Sequence, residues 1–306
     1  MKLTLIHNPS AGKGGPDPDA LTELLERHGF SVRYFDSDKI DKALAKPGDL
    51  ILVAGGDGTV GKVLRRLEAA SVPVAVLPLG SANNIACTLG HFGPIEEVVA
   101  GLRDAPPRRF DVGVARGPWG RRRFVEAVGL GPLARALAAG DAAGVPGDAS
   151  VRFGRAAFRA LLDEAEPARL SMTLDGKALD TPFAMVEVLN IGQIGPRLRL
   201  APHADPGDGL LDVIGVTVER CDDMLDWLES PESREPPISA FQAASVRVVS
   251  DAPTAVHVDD KFPDLPEDDE PLDVEIELLE HTLKVLVSPD YRKRKPRAAP
   301  EPEQAE

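Results

Sequence analysis

Asp49-Leu50-Ile51-Leu52-Val53-Ala54-Gly55-Gly56-Asp57-Gly58-Thr59 runs directly into Val60-Gly61-Lys62-Val63-Leu64-Arg65-Arg66-Leu67, and the fold reads outward from this stretch. An apolar run carrying β-branched residues meets three glycines around one aspartate, after which Val60, Val63, Leu64 and Leu67 recur at helical spacing. The pattern predicts strand, tight turn and helix. Glycine lets backbone approach a ligand closely, and the helix start behind it offers unpaired N–H groups to an anion, so a phosphate is the expected guest. Asp57 is the odd member, because a carboxylate beside a phosphate needs a cation or a transferable proton between them. The turn therefore reads as a metal-assisted phosphoryl site. Such turns also serve as plain connections in α/β proteins; here the buried strand and Asp57 argue for a site. The Lys-Ser/Thr pair of the Walker pattern and the spaced glycines of the dinucleotide fingerprint are both missing.

Strands and helices alternate around this turn. Met1 to Ile6 reads as a first buried strand, which His7-Asn8-Pro9 stops too early for a signal peptide. Asn8-Pro9-Ser10-Ala11-Gly12-Lys13-Gly14-Gly15 is a polar, glycine-containing loop suited to phosphate contact, with Lys13 as a positive charge for a nucleotide. Asp19 to His28 reads as a helix ended by Gly29, Phe30 to Phe35 as a strand, and the helix after the central turn runs to near Ala70. Val72 to Pro78 is a third apolar run, opening into Leu79-Gly80-Ser81-Ala82-Asn83-Asn84. This alternation, up to about residue 103, predicts a parallel sheet with helices on both faces and ligands beyond the carboxyl ends of its strands.

Pro106-Pro107-Arg108-Arg109 marks a boundary, giving a nucleotide-binding domain over 1–109 and a β-rich lipid or substrate domain over 110–281. Residues 131–168 carry helical spacing (Ala134, Leu137, Ala138; Phe158, Leu161, Leu162), broken between Gly140 and Gly147. Leu170 to Leu174 precedes an Asp175-Gly176 hairpin signal. Further runs at 184–189, 211–218, 246–249, 256–258, 274–279 and 282–287 predict antiparallel strands, and 282–290 is expected to pack back on the first domain. The tail, 291–306, has a disorder-prone composition. Its basic cluster, 292–297, reads as solubilising, with some capacity to touch anionic lipid. The acidic run 264–270 reads as a solvated loop.

Composition bounds the function. The 306 residues suffice for two cores or one large domain, and a net charge of -14 argues against general nucleic-acid binding. Cys87 and Cys221 lie far apart and form no metal spacing, as expected of a reduced cytosolic protein. No apolar run approaches the roughly 20 residues of a spanning helix, so a lipid substrate would be met from the cytosol. The six histidines lack metal spacing, and His7 reads as structural.

Asn8-Pro9-Ser10-Ala11-Gly12, Gly55-Gly56-Asp57-Gly58-Thr59 and Leu77-Pro78-Leu79-Gly80-Ser81-Ala82-Asn83-Asn84 together resemble the diacylglycerol kinase catalytic-domain family, which includes bacterial lipid kinases, sphingosine kinases and ceramide kinases. Leu200-Ala201-Pro202-His203-Ala204 followed by Asp208-Gly209-Leu210-Leu211-Asp212-Val213 is similar to the family's second-domain signature, so the resemblance covers most of the chain in order. Phe124 to Gly131 resembles the segment that runs into a glycine turn at the domain interface.

The resemblance implies an α/β N-terminal domain with a parallel sheet, of the NAD kinase and phosphofructokinase type, plus a mainly antiparallel β C-terminal domain. It implies an ATP-dependent, Mg²⁺-requiring kinase that transfers the γ-phosphoryl group to a diacylglycerol-like lipid hydroxyl. Gly55, Gly56, Asp57, Gly58, Thr59, Val60, Gly61, Ser81 and Ser37 fall where the family contacts ATP, and Asn8, Ser10, Gly12, Gly80 and Asn84 complete the expected cradle. A second Mg²⁺ site carries over onto Asp205, Asp208 and the Leu210 carbonyl, oxygen ligands of the kind a hard cation takes. A cytoplasmic protein in transient contact with the membrane surface, with a homodimer left open, completes the expectation.

Three departures bear on activity. The residue-Asn-Glu that usually follows Gly-Gly-Asp-Gly-Thr is here Val60-Gly61-Lys62, and the family's Asn-Asp pair is Asn83-Asn84. The family's Asp-Gly-Glu, whose Glu is assigned catalysis in bacterial members, is Asp259-Asp260-Lys261. A lysine is no general base at neutral pH unless its pKa is strongly depressed, which leaves Asp57, Asp259, Asp260 and Lys261 as the catalytic candidates. The alternative is a weak or inactive nucleotide-binding regulatory protein of the same fold. NAD kinase is disfavoured by the Leu77 to Asn83 segment.

Overall fold

The computed structural model describes residues 1–12, 15–68, 72–145, 147–164, 168–231, 233–265, 272–289 and 291. Lys13, Ala70, the end of the acidic loop and the tail from residue 292 lie outside the described residues.

The first part of the chain alternates as β1 (Lys2–His7), α1 (Pro18–Arg27), β2 (Ser31–Asp36), α2 (Ile40–Leu44), β3 (Leu50–Gly55), α3 (Asp57–Arg66), β4 (Val74–Pro78), α4 (Asn84–Thr88) and α5 (Ile95–Gly101). Strands β2, β1, β3 and β4 lie side by side and parallel. Every residue of β3 is buried, because its two faces are both covered. Leu50 and Leu52 pack with Leu21, Leu25 and Val99 of α1 and α5, whereas Ile51 and Val53 pack with Ile40, Val60 and Val63 of α2 and α3. A strand covered on both sides reads as an unbroken apolar run. Helix α1 starts where the Asp17 side chain accepts from the Asp19 and Ala20 N–H groups. It stops at Gly29, which takes a φ of 78°.

The second part contains β5 (Pro107–Gly117), β6 (Gly120–Phe124), β7 (Ala127–Leu130), α6 (Pro132–Ala143), α7 (Asp148–Glu164), β8 (Leu170–Leu174), β9 (Lys177–Ala178), β10 (Met185–Leu189), β11 (Leu211–Val216), α8 (Cys221–Trp227), β12 (Ser239–Ala243), β13 (Ser245–Ser250), β14 (Val256–Val258) and β15 (Asp273–Leu286). One antiparallel sheet runs β12-β11-β10-β7-β14. Its inner face packs on β13, β15 and β8 through Val186, Val188, Val213, Val248 and Val274. Helices α6, α7 and α8 cover its other face, with Phe158 and Trp227 against Met185 and Ile214. Asp175 and Gly176, both at positive φ, make the β8–β9 turn. Gly140 sits inside α6, and the helix breaks at Gly144, within the expected 140–147 range, where φ is 59°.

The runs at 274–279 and 282–287 are not two strands but the single 14-residue β15, whose register shifts between Leu278 and Thr282. Its first half pairs with β13 and β5, and its end pairs with β5 and, through Val285 and Val74, lies parallel to β4. Pro107 to Arg109 likewise open β5 and are paired with β15. The two halves of the molecule thus share one continuous sheet, in the order β2-β1-β3-β4-β15-β13-β8-β9. Leu283 of β15 is fully buried in the core under β4. Leu283→Ala is therefore expected to lower unfolding free energy by about 2–5 kcal/mol, measured by urea denaturation, and to weaken both halves together.

Candidate active site

The loops after β1, β3 and β4 meet at the carboxyl edge of the parallel strands. Asn8 Nδ2 donates to Thr59 Oγ1 (3.2 Å), while Asn8 Oδ1 accepts from the Ser10 hydroxyl (2.8 Å). Gly12 holds a φ of 72°, and a Cβ there would collide with the Leu79 carbonyl. Gly56 and Gly80 face one another so closely that a Cβ on Gly80 would lie 2.5 Å from the Gly56 Cα. These glycines are required first by loop-to-loop packing. Asn83, in left-handed conformation, locks the third loop, its amide exchanging hydrogen bonds with Gly80 N–H (2.8 Å) and carbonyl (2.7 Å). The Ser81 carbonyl accepts from Arg197. Ser37 follows β2 at the same sheet edge, and its hydroxyl faces Asp36 (3.4 Å). Val60 and Gly61 are buried within α3 rather than lying on the loop surface.

Asp57, first residue of α3, accepts from the Ile85 N–H at 2.9 Å and so ties the central turn to the start of α4. Burial pushes its pKa up, and hydrogen bonds from the backbone of Ile85, Asn84 and Asn83 pull the other way. Asn84 reaches across the molecule instead: its Nδ2 donates to the Gly195 carbonyl (3.1 Å) and its Oδ1 accepts from Gln193 Nε2 (2.8 Å). Here the neutral amide is a strut between the halves.

Asp259 is an anchor. It sits at a φ of 51° in the turn after β14, and its fully buried carboxylate accepts from the N–H groups of Val125 (3.0 Å), Glu126 (2.8 Å) and Ala127 (3.1 Å). It is also ion-paired with Arg65 of α3. Arg65 bridges to Asp260 as well (3.0 Å), and Lys261 Nζ pairs with the other Asp260 oxygen (3.0 Å). Behind the turn, His257 makes hydrogen bonds to the Asp259 carbonyl (3.1 Å) and Glu187 (2.9 Å). Burial, the largest single influence, lowers the His257 pKa, but the Glu187 charge and hydrogen bond, together with the hydrogen bond and charge of Asp259, outweigh it and the net shift is upward. A Cβ at Gly129 would strike the Glu187 carboxylate, so glycine is needed to admit this pair.

Asp57, Asn84, Asp259 and Asp260 line one cavity of about 330 Å³, together with Glu126. Its other walls come from α6, α7 and the loop at 194–196, including Leu137, Val151, Ile194 and Phe262. Lys261 is half exposed and does not line it. Glu126 was not singled out from sequence; the available signal is an acid inside the apolar run Phe124 to Leu130. Burial, then the charges of Asp57, Asp259 and Asp260, push its pKa well above the ordinary carboxylate range. Arg65 also escaped notice, since its partners lie 194 and 195 residues away.

Asp205, Asp208 and Leu210 lie elsewhere, in the turn before β11. Asp205 accepts from the Gly207 N–H (3.3 Å), Asp208 from the Leu210 N–H (2.9 Å), and Asp111 closes the turn through the Gly209 N–H (2.9 Å). Among the described residues no group of three or more His, Cys, Asp or Glu is placed to hold a metal ion. A larger cavity nearby, about 630 Å³, is lined by Pro202, His203, Asp212 and Phe241. Burial, with Asp208 and Asp205 adding repulsion, raises the Asp212 pKa to about 7.

The diacylglycerol kinase catalytic domain family matches residues 2–115, and the YegS C-terminal NAD kinase beta sandwich-like domain matches residues 127–286. A diacylglycerol kinase of Mycobacterium tuberculosis is 26% identical over 226 residues, 69% of this chain and 72% of the relative. That of Bacillus subtilis is 25% identical over 232 residues, 70% and 73% of the two chains. A protein of Chromohalobacter salexigens named "Probable lipid kinase YegS-like" is 31% identical over 204 residues, 60% of each chain. A solved diacylglycerol kinase structure from Bacillus anthracis shares the fold, with a TM-score of 0.67 over 94% of this chain and 97% of that one at 21% identity. The chain belongs to the diacylglycerol kinase family of YegS type and is a lipid kinase.

Two consequences of this geometry are measurable. Arg65→Ala leaves the buried Asp259 charge without its counterion and is expected to cost about 3–5 kcal/mol in a denaturation experiment. Asp212 has a folded pKa raised above its unfolded value, so the folded state binds the extra proton and this group's contribution is lost as pH rises from about 4 through about 7. Asp212→Asn should therefore gain stability relative to the parent across that window, seen as a melting-temperature difference that grows from pH 5 to pH 8.

Proposed function

We propose that this lipid kinase transfers the γ-phosphoryl group of ATP to the hydroxyl of a diacylglycerol-like lipid. The observation that carries this reading is the two-sided wall of the central cavity. Asp57, Asn84, Glu126 and Asp260 form a polar floor, and Ala136, Leu137, Val151, Ile194 and Phe262 form apolar sides. A lipid presents the same division, a hydroxyl-bearing end and acyl chains. A cavity of about 330 Å³ is at the small end for a ligand site and suits the hydroxyl end, with the chains continuing outward between α6 and α7. On α7, Arg152 and Phe153 are exposed beside the cavity-lining Val151 and Gly154, a combination suited to transient contact with an anionic membrane surface. No helix among the described residues is long and apolar enough to cross a membrane.

The nucleotide would lie over the meeting loops, where Asn8, Ser10, Gly56 and Gly80 converge. Mg²⁺ bound to the nucleotide would offset triphosphate charge. That suits a floor with Asp57, Glu126, Asp259 and Asp260 and with Arg65 already held by two of them. Phosphoryl transfer depends on positioning and electrostatics more than on covalent chemistry. Asp57 contributes to both, because it orients the start of α4 and stands in the cavity. The regulatory alternative draws on Asn84 and Lys261 and predicts ATP binding without turnover.

Incubation with γ-labelled ATP, Mg²⁺ and mixed micelles of diacylglycerol, sphingoid base or ceramide tests the proposal. Labelled lipid is expected with diacylglycerol, and Asp57→Asn should reduce it by about 10²-fold or more while the protein stays folded. ATP binding with no labelled lipid from any acceptor would sink the proposal in favour of the regulatory alternative.

A further inference from the structure

We infer that Glu126 is the catalytic base that takes the proton from the acceptor hydroxyl; this rests on the lipid kinase reading above. Five acidic side chains line the central cavity: Asp57, Glu126, Asp141, Asp259 and Asp260. Three of the four on its floor are held by partners. Asp57 accepts from the start of α4, Asp259 is saturated by three backbone N–H groups and Arg65, and Asp260 is paired with Arg65 and Lys261. Asp141 lies on the opposite wall, near the end of α6. Glu126 alone on the floor combines burial, at 6% exposure, with a carboxyl group to which no hydrogen bond is made among the described residues.

Its backbone is held firmly. The Glu126 N–H donates to Asp259 (2.8 Å) and its carbonyl accepts from the Asn190 N–H (2.8 Å). The neighbouring Val125 carbonyl accepts from Asn190 Nδ2 (3.0 Å). The side chain thus stands on a fixed bend between β6 and β7, with its proton-accepting end unclaimed. The carboxyl opens onto the cavity, where a ligand can supply the contact that the protein does not. A hydroxyl is such a ligand. Burial first, then the charges of Asp57, Asp259 and Asp260, raise the proton affinity of this carboxylate, and Arg65 opposes them and favours its ionised form.

In the step, the lipid hydroxyl oxygen forms a bond to the γ-phosphorus as the bond from that phosphorus to the β,γ-bridging oxygen breaks. The electron pair leaves with ADP, the hydroxyl proton passes to Glu126, and Glu126 releases it to water after product departs. Atoms and charge balance without a further reactant. Asp259 is then a positioning residue, since it sets the bend that carries Glu126.

The test compares parent, Glu126→Gln and Glu126→Ala in the labelled-lipid assay, with folding checked by circular dichroism. Glu126→Gln should lower kcat by about 10²–10⁴-fold with little change in KM for ATP. Glu126→Ala should be comparably slow, and added formate should restore a measurable part of the rate, which a purely structural side chain would not allow. Should the Gln variant misfold, formate rescue of the Ala variant decides the matter, and the Glu126→Asp variant provides a second folded comparison, expected to keep more activity than Ala. Undiminished turnover in folded Glu126→Gln, or Ala without formate response, overturns the assignment while leaving the lipid kinase reading intact. A parent protein that labels no lipid overturns both.

Discussion

Asp259 is the point on which the site depends. Its carboxylate is buried, and an unpaired charge there would cost several kcal/mol. Three backbone N–H groups of the β6–β7 bend and the Arg65 guanidinium from α3 meet it. One side chain therefore joins the helix behind the glycine turn, the bend that carries Glu126, and the turn after β14. The left-handed φ of 51° at Asp259 is what points its carboxylate back into this cluster, and the His257–Glu187 pair holds the turn from behind. Hydrogen bonds to a charged group contribute more than neutral ones, so the arrangement is rigid where the chemistry needs a fixed geometry.

The long strand β15 does the same at larger scale. It pairs with β13 and β5 in its first half and reaches β4 by its end, so the cavity floor is built on a sheet that runs through both halves. Asn84 adds a direct link by bonding Gly195 and Gln193. A cleft whose walls come from two halves usually opens and closes with them. Here the two halves share one sheet.

Acids crowd this molecule in two places, with different consequences. Around the central cavity, Arg65 compensates part of the charge, and the crowding raises the pKa of Glu126. At the turn before β11, the carboxylates of Asp205 and Asp208 accept from their own loop, and Asp212 is driven to protonate near neutrality. Burial is the first cause in both, and the nearby acids add to it.

Local patterns were legible in the sequence because they depend on near neighbours. The apolar run at β3, the helical spacing of α3, the glycine turn at 55–58 and the Asp175-Gly176 hairpin all follow from residues a few positions apart. The family motifs, being contiguous, were legible for the same reason. Tertiary structure alone decided which polar groups meet. The glycines at 56 and 80 face each other, Arg65 finds Asp259 across 194 residues, and Asn84 becomes a strut. Two expected strands fused into β15 because pairing with β5 continues across the register shift, a non-local gain that local patterning does not encode. Glu126 was invisible as a site residue for the same physical reason. Its burial, its lack of a partner and its acidic neighbours exist only once β6, β7, α3 and the turn after β14 are brought together.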